Sequence, residues 1–159
     1  MSSRTPVVFI VEDDAAFNKL ISSYIKAESK CDVHSYLSGE DCLEKISKNP
    51  DVILMDYELP FRDGIEVMGV IKKKLPNAIF IFLSGQTNIK IAVEALSKGA
   101  FDYIVKDHHA KENALNKIIH ALRIKKLEKS KKHNELIIKT LLAILALSWL
   151  ISFLYLIRK

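Results

Sequence analysis

The chain has 159 residues, with 24 Lys and Arg against 19 Asp and Glu and a formal net charge of +5. This length suggests one domain of roughly 100–150 residues and an additional segment. The only two cysteines, Cys31 and Cys42, lack CxxC or Cys/His ligand spacing, which argues against a disulfide or zinc site and is typical of a reducing compartment.

The positive charge is concentrated towards the C-terminal end. Residues 1–116 contain 14 Lys/Arg and 17 Asp/Glu, whereas residues 117–159 contain 10 Lys/Arg and 2 Asp/Glu. The sequence therefore predicts a mildly acidic globular domain followed by a basic and then apolar segment. The first six residues lead into an apolar run without a secretory signal, so we expect the globular domain to fold in the cytoplasm.

Four apolar runs each end on a polar residue of a type used in phosphate chemistry. Residues 7–11 precede Glu12 and Asp13, residues 52–55 precede Asp56, residues 79–83 precede Ser84, and residues 103–105 precede Lys106. Such runs are typical of strands buried on both faces of a parallel sheet. Because ligands of open parallel sheets bind at the carboxyl ends of the strands, we expect one pocket with carboxylates, a hydroxyl and an ammonium.

Helical patterns alternate with these strands. The first helix is predicted from an apolar stripe formed by Phe17, Leu20, Ile21, Tyr24 and Ile25. A second strand is predicted at residues 32–37, and Ser38 is predicted to cap a second helix through Ile46. Two further helices are expected to stop at Pro76 and Gly99. A strand at residues 101–105 precedes a final helix whose apolar face contains Ala114, Leu115, Ile118, Ile119 and Leu122.

This alternation predicts an α/β fold with a doubly wound, five-stranded parallel sheet. We also predict a C-terminal transmembrane helix after this fold. Residues 140–157 are 18 residues without a charge, and they span about 27 Å as a helix, close to the thickness of a bilayer core. A buried amphipathic helix or an oligomerisation coil is the alternative. The run is apolar on every face, which favours the membrane span.

The predicted organisation is a folded domain at residues 5–125, a basic segment at 126–138 and a transmembrane helix at 139–157. The basic segment lies next to the span, so the positive-inside rule and anionic lipid headgroups explain it better than nucleic acid, and an ordinary solvated linker is the alternative. We therefore expect a single-pass protein of the cytoplasmic membrane with its folded domain in the cytoplasm.

Four motifs, in their order and spacing, resemble the receiver domain of two-component response regulators of the chemotaxis-regulator type: VVFIVEDD, VILMDYELPFRDG, IFIFLSG and GAFDYIVKD. The resemblance covers residues 5–125 and implies the flavodoxin-like receiver fold. It also implies a signalling protein rather than an enzyme, with only self-phosphorylation from a donor and self-dephosphorylation.

The resemblance implies a role for each polar residue at the strand ends. Asp56 would accept a phosphoryl group from a histidine kinase or a histidine phosphotransfer protein, and an aspartate needs its charge offset to do so. Mg²⁺ would be bound by side chains of Glu12, Asp13 and Asp56 and by the backbone carbonyl of Glu58. The phosphoryl oxygens would contact Ser84 and Lys106, and Tyr103 would be the switch aromatic. An unknown downstream protein would bind the face of the fourth helix, fifth strand and fifth helix.

The sequence departs from the family pattern at two places. Asp107 follows Lys106 where the family usually has a proline with a cis bond, and a non-proline cis bond costs about 3 kcal/mol, so we expect a trans or strained loop. In addition, the expected membrane helix stands where an output domain usually follows.

Several alternatives remain open from the sequence. The chain could act as a phosphate sink or shuttle, or as a pseudo-receiver that docks without phosphorylation; pairing with a second copy is also open. An aspartyl-phosphate hydrolase is disfavoured because Glu58 stands where that class has an aspartate. Asp14 is expected to cap the first helix rather than bind a metal, and Tyr103 is either a switch or a core residue.

Overall fold

The computed structural model describes residues 4–85 and 89–158, which divide into two compact units between Leu122 and Arg123. The strands are β1 Val7–Val11, β2 Asp32–Tyr36, β3 Val52–Asp56, β4 Ile79–Ser84 and β5 Asp102–Val105. The α-helices are α1 Ala15–Glu28, α2 Gly39–Glu44, α3 Gly64–Lys74, α4 Ile89–Ser97 and α5 Ala110–Ile157. A 3₁₀ turn at Ile46–Lys48 follows α2.

The five strands form one parallel sheet in the order β2-β1-β3-β4-β5. This order belongs to the flavodoxin-like class of doubly wound folds, so the predicted fold class is confirmed for the sheet and its helices. The register aligns the carboxyl ends of the strands, since Val11 lies opposite Met55, and Ser84 lies opposite Val105. Polar residues at these ends therefore share one edge of the sheet.

The strands build two hydrophobic clusters, one on each face of the sheet. Because successive side chains of a strand point to opposite faces, Ile10 and Leu54 pack with α1 and α5, whereas Phe9 and Ile53 pack with α2, α3 and α4. All five residues of β1 and of β3 are buried, as expected for strands covered on both sides. Both clusters draw only on residues from Val7 to Leu122, so the first unit has a complete core of its own.

The predicted apolar stripe of α1 is wrong at Leu20, whose side chain is 50% exposed. The buried face of α1 contains Asn18 instead, and the Asn18 amide donates to the backbone carbonyls of Glu12 at 2.9 Å and Tyr36 at 2.8 Å. A buried amide is stable only when it is hydrogen-bonded. These two bonds orient α1 so that Leu20 faces outward, and they join the ends of β1 and β2.

Two other helix predictions need correction. The second helix ends at Glu44 rather than Ile46, because the chain changes to a 3₁₀ turn that stops at Asn49 in the left-handed conformation. On α5, Ile119 is exposed and Ala121 is buried, so the buried face is rotated from the predicted one. The sequence pattern did not distinguish the predicted buried face from the observed one, because Leu115 and Leu122 lie at the border of both faces.

The predicted helix ends are mostly confirmed. The Asp14 carboxylate caps α1 by accepting from the backbone N–H groups of Ala16 and Phe17, and Ser38 caps α2 in the same manner. Asp63 caps α3 by accepting from the backbone N–H of Glu66. Gly99 has a φ of 92°, in the left-handed region that commonly closes a helix, as predicted after α4.

The second unit is the C-terminal part of α5. Its large apolar residues from Leu127 onward are exposed, including Trp149, whose ring stacks on Phe153 at a centroid distance of 5.5 Å. Among the described residues, one helix is long and apolar enough to cross a membrane by its length and composition, and that helix is α5.

Two glycines of α3 give a matched test of packing near the strand ends. A Cβ at Gly64 would overlap the Asp56 carbonyl oxygen, whereas a Cβ at Gly69 would meet nothing within 4 Å. We expect Gly64→Ala to lower the free energy of unfolding by about 1–3 kcal/mol through overpacking. Gly69→Ala should raise it by about 0.5–1 kcal/mol, because alanine favours helix. Urea unfolding of residues 1–125 measures both; equal effects would contradict this packing.

Candidate functional site

The carboxyl edge of the sheet brings together residues that are far apart in sequence. Glu12 and Asp13 follow β1, Asp56 is the last residue of β3, and Lys106 follows β5. Ligand oxygens of Glu12, Asp13 and Asp56 all lie within 4.8 Å of one another. The side chains of Glu12 and Asp56 are buried, whereas Asp13 is exposed at the mouth of the cluster. The structure therefore brings these predicted site residues together at one edge of the sheet.

Lys106 supplies the positive charge of this cluster. Its Nζ atom donates to Asp56 Oδ2 at 2.7 Å and to Glu12 Oε1 at 2.8 Å. The Phe17 ring covers the same ammonium, with 5.3 Å between Nζ and the ring centroid. The peptide bond from Lys106 to Asp107 is trans, and the Lys106 backbone N–H donates to the Ser84 carbonyl at 2.9 Å. One ammonium thus joins two buried carboxylates.

The pKa values of the three groups reflect burial and mutual attraction. Burial raises the pKa of Glu12 to about 7, although the hydrogen bond from Lys106 opposes this shift. Burial likewise raises the pKa of Asp56 against the effect of Lys106. For Lys106, burial lowers the pKa, but its bonds to Asp56 and Glu12 outweigh burial and the net pKa is raised. The single positive charge of Lys106 therefore does not fully offset the cost of burying the two carboxylates in their ionised form.

The cluster fits a small divalent cation. Both Glu12 carboxylate oxygens lie within 2.8 Å of Lys106 Nζ, and this ammonium is the cationic partner that the buried carboxylate has among the described residues. Mg²⁺ prefers hard oxygen ligands, often one or two carboxylates with water and phosphate oxygens. Glu12, Asp13 and Asp56 offer ligands of this type in reach of a common point.

The remaining predicted site residues lie around the cluster. Ser84 is buried at the end of β4, in register with Val105, the residue before Lys106. The Glu58 backbone N–H donates to Asp56 Oδ1 at 3.3 Å, while ligation by the Glu58 carbonyl remains a prediction. Tyr103 lies in β5 and packs, partly buried, against the cluster of Phe9 and Ile53. Its role as a switch also remains a prediction.

Two contributors were not assigned to the site from the sequence. Asn18 fixes the backbone of Glu12 through its amide, and Phe17 covers the Lys106 ammonium. Both residues lie in the first turns of α1, directly after the acidic residues. Their proximity to Glu12 and Asp13 could have indicated a role in the site. The apolar stripe of the helix instead predicts that Phe17 is a core residue and that Asn18 faces solvent.

The profile of the family described as response regulator receiver domain matches residues 8–120. The chain belongs to the response regulator receiver family. Receiver domains are signalling modules that accept a phosphoryl group from histidine kinases or phosphotransfer proteins, and they typically bind Mg²⁺ at an acidic pocket. The matched range includes every residue of the cluster around Lys106.

Curated relatives are similar to this receiver over part of their length. The chain is 36% identical over 105 residues to protein-glutamate methylesterase/protein-glutamine glutaminase 2 of Photobacterium profundum, covering 64% of the chain and 27% of that protein. It is 35% identical over 98 residues to regulatory protein LuxO of Vibrio cholerae, covering 61% of the chain and 21% of that protein. The chain therefore spans less than a third of either relative.

Solved receivers have the same fold. The BeF3-activated DrrB receiver domain of Thermotoga maritima is 25% identical with a TM-score of 0.69, covering 75% of this chain and 98% of that chain. A CheY-like receiver domain protein of Methanospirillum hungatei is 26% identical with a TM-score of 0.70, covering 78% and 98%. Both neighbours consist almost wholly of the matched domain, so receivers of this kind fold as isolated units.

The raised pKa of Glu12 predicts how stability depends on pH. Because the pKa rises from 4.5 to about 7 on folding, the folded state retains a proton that the unfolded state releases over this range. Without divalent cations, the free energy of unfolding should therefore fall as the pH rises from 4.5 to about 7. Glu12 should contribute up to about 3 kcal/mol to this fall. Urea unfolding of residues 1–125 at several pH values, with a chelator, measures the slope.

Glu12→Gln is the matched control, since it keeps the side-chain shape and removes the titrating group. Asp56 titrates in both proteins, so the variant should retain a shallower slope rather than none. Equal slopes for the two proteins would contradict a raised pKa for Glu12.

Proposed function

We propose that this receiver accepts a phosphoryl group on Asp56. The observation that carries the proposal is the buried Asp56 carboxylate, which accepts a 2.7 Å hydrogen bond from Lys106 beside the other acidic side chains. A carboxylate acts as a nucleophile towards phosphorus when its charge is offset and the transferring group is positioned. The Lys106 ammonium would offset part of the Asp56 charge, and the acidic cluster would hold a cation that positions the transferring group.

The transfer requires a donor in which phosphorus is bound to a good leaving group. In a phosphohistidine, the phosphorus–nitrogen bond would break as a bond forms between phosphorus and an Asp56 oxygen, and the imidazole would depart with the electron pair. We propose a histidine kinase or a histidine phosphotransfer protein as the donor, in agreement with the family as a whole. The products are an acyl phosphate on Asp56 and an unphosphorylated histidine.

Glu12, Asp13 and Asp56 would hold Mg²⁺, with the Glu58 backbone carbonyl as a further proposed ligand. When bound, this cation neutralises negative charge on the phosphoryl oxygens. Lys106 would redirect its Nζ from the carboxylates to a phosphoryl oxygen, where a positioned charge stabilises the developing negative charge. The Ser84 hydroxyl would donate to another phosphoryl oxygen.

The signal would leave through the neighbouring strands and helices. Movement of Ser84 towards the phosphoryl group would alter the space beside Tyr103, because β4 and β5 are paired and Phe82 lies opposite Tyr103. A changed burial of the Tyr103 ring would then present a different face of α4, β5 and α5 to a downstream protein. Such a two-state element is the form of output that we propose.

Phosphorylation by a small phosphodonor tests the phosphoacceptor directly. We expect residues 1–125, incubated with acetyl phosphate and Mg²⁺, to gain the mass of one phosphoryl group in intact-mass spectrometry. Asp56→Asn should gain none, because its amide is not a nucleophile towards phosphorus, and a chelator should suppress the gain in the wild-type protein. A gain that persists in Asp56→Asn would place the phosphoryl group elsewhere. No gain in either protein would favour a phosphorylation-independent docking module.

We also propose that the C-terminal part of α5 anchors the receiver in the cytoplasmic membrane. Support comes from the length and apolar composition of the helix and from its exposed large side chains, such as Trp149 at 69%. The basic residues that precede it, from Arg123 to Lys132, fit the cytoplasmic side of a span and its anionic headgroups. An anchored receiver would meet membrane-bound kinases at a raised effective concentration.

Membrane extraction tests the anchor. We expect the full chain to remain in the membrane pellet after alkaline carbonate treatment, and residues 1–125 to remain in the supernatant. A double variant, Leu145→Lys with Leu150→Lys, should be extracted, because each lysine near the centre of a span costs about 2.5–3.5 kcal/mol. Extraction of the wild-type full chain under the same treatment would rule out the anchor.

A further inference from the structure

Phe61 is an aromatic residue in an unusual backbone conformation at the surface of the receiver. Its φ is 71°, and it is 91% exposed. Within residues 4–85 and 89–158, the other non-glycine residue with positive φ is Asn49, whose residue type tolerates this region. A bulky residue at positive φ is a genuine outlier.

The hydrogen bond across Phe61 defines the turn. The Arg62 backbone N–H donates to the Pro60 carbonyl at 2.9 Å, which closes a three-residue turn with Phe61 at its centre. With positive φ at the central residue, this is the rare and strained form of the γ-turn. Backbone conformations of this kind cost about 1–3 kcal/mol. Glycine would adopt the same φ without a steric penalty.

The fold itself gains nothing from the Phe61 ring. The neighbouring Leu59 and Tyr57 pack against the hydrophobic cluster of Phe9 and Ile53, whereas Phe61 is almost fully exposed. Neither the backbone nor the core thus accounts for an aromatic side chain at this position. Contact with another molecule would account for it, since buried aromatic rings are strong anchors of protein interfaces.

The loop that carries Phe61 is fixed to the phosphoacceptor at both ends. The Glu58 N–H donates to Asp56 Oδ1 at 3.3 Å, and the Gly64 N–H donates to the Tyr57 carbonyl at 3.0 Å. Gly64 also lies against the Asp56 carbonyl so closely that a Cβ would overlap it. The ring is therefore presented in a defined position, which lowers the entropy lost when a partner binds.

The short chain between Asp56 and Phe61 keeps the ring near the phosphoacceptor, which favours the phosphoryl donor as the partner. Five residues span at most about 18 Å when fully extended, and the closure of this loop makes the real separation shorter. A standard protein interface buries about 800 Å² on each partner, equal to a disc of about 16 Å radius. A protein that delivers a phosphoryl group must centre its interface near Asp56, so its footprint reaches Phe61.

We propose that Phe61 is a docking anchor for the histidine-phosphorylated protein that transfers its phosphoryl group to Asp56. This inference rests on the proposed phosphoacceptor function and names a specificity-determining residue for it. The ring fills an apolar pocket of the donor protein beside the phosphohistidine. It makes no contribution to transfer from a small phosphodonor, which has no surface to reach it.

The test compares two kinds of donor with the same receiver, residues 1–125. The small donor is acetyl phosphate with Mg²⁺. The protein donor is the phosphorylated kinase core or phosphotransfer domain that transfers fastest to the wild-type receiver in a purified panel. Phe61→Gly should lose at least about tenfold in kcat/KM with the protein donor, as expected for an interface anchor. Its rate with acetyl phosphate should equal that of the wild type.

Three controls separate docking from folding. Phe61→Gly should shift the urea midpoint upward, because glycine relieves the turn. Phe61→Tyr retains the ring and should restore most of the transfer rate. Leu96→Ala changes another exposed apolar residue, in the last turn of α4 at the opposite edge of the sheet, and should have no effect on transfer.

Each outcome separates the inference from the function beneath it. Equal protein-donor rates for wild type and Phe61→Gly would overturn the anchor and leave the phosphoacceptor intact. Equal losses with both donors would also overturn it, because the defect would lie in the Asp56 pocket. Acetyl phosphate labelling without transfer from any protein in the panel would contradict the proposed donor class. Failure with acetyl phosphate as well would remove the phosphoacceptor function itself.

Discussion

The site depends on the contact of the partly buried Lys106 ammonium with two buried carboxylates. It joins the end of β5 to Asp56 at the end of β3 and to Glu12 after β1, residues that lie 50 and 94 positions away in sequence. Loss of one partner from a buried ion pair typically costs about 3–5 kcal/mol. The contact forms because the parallel register brings the carboxyl ends of all these strands to one edge. Fold and site are thus held by the same arrangement.

This contact also leaves the site short of positive charge. One ammonium faces two buried carboxylates, and the exposed Asp13 adds a third negative group within reach. A divalent cation would supply the missing positive charge. A phosphoryl group on Asp56 would add negative charge and make the site short of positive charge again. Under the proposed function, this charge balance would change on phosphorylation, as suits a module whose conformation reports phosphorylation.

The polar edge of the sheet was predictable from the sequence, because each apolar run marks a strand and the polar residue after it marks where the strand ends. Other features depend on three-dimensional contacts that no local pattern contains. Asn18 is buried because two backbone carbonyls lie within reach of its amide, and the second carbonyl comes from β2. The strained turn at Phe61 arises from a loop that α3 closes on β3, a contact that no local sequence pattern contains. The Lys106 bond to Glu12 was likewise unexpected, since the family pattern assigns that lysine to the phosphoryl group.

The most direct test of the account is a crystal structure of residues 1–125 with Mg²⁺ and beryllium fluoride, which mimics a phosphoryl group on a carboxylate. The account predicts beryllium on an Asp56 oxygen and the cation on Glu12, Asp13 and Asp56. Lys106 Nζ should have left Glu12 to contact a fluorine atom, with the Ser84 hydroxyl on another. A Lys106 side chain that still joins Glu12 to Asp56, or beryllium bound elsewhere, would contradict the central role given to this contact.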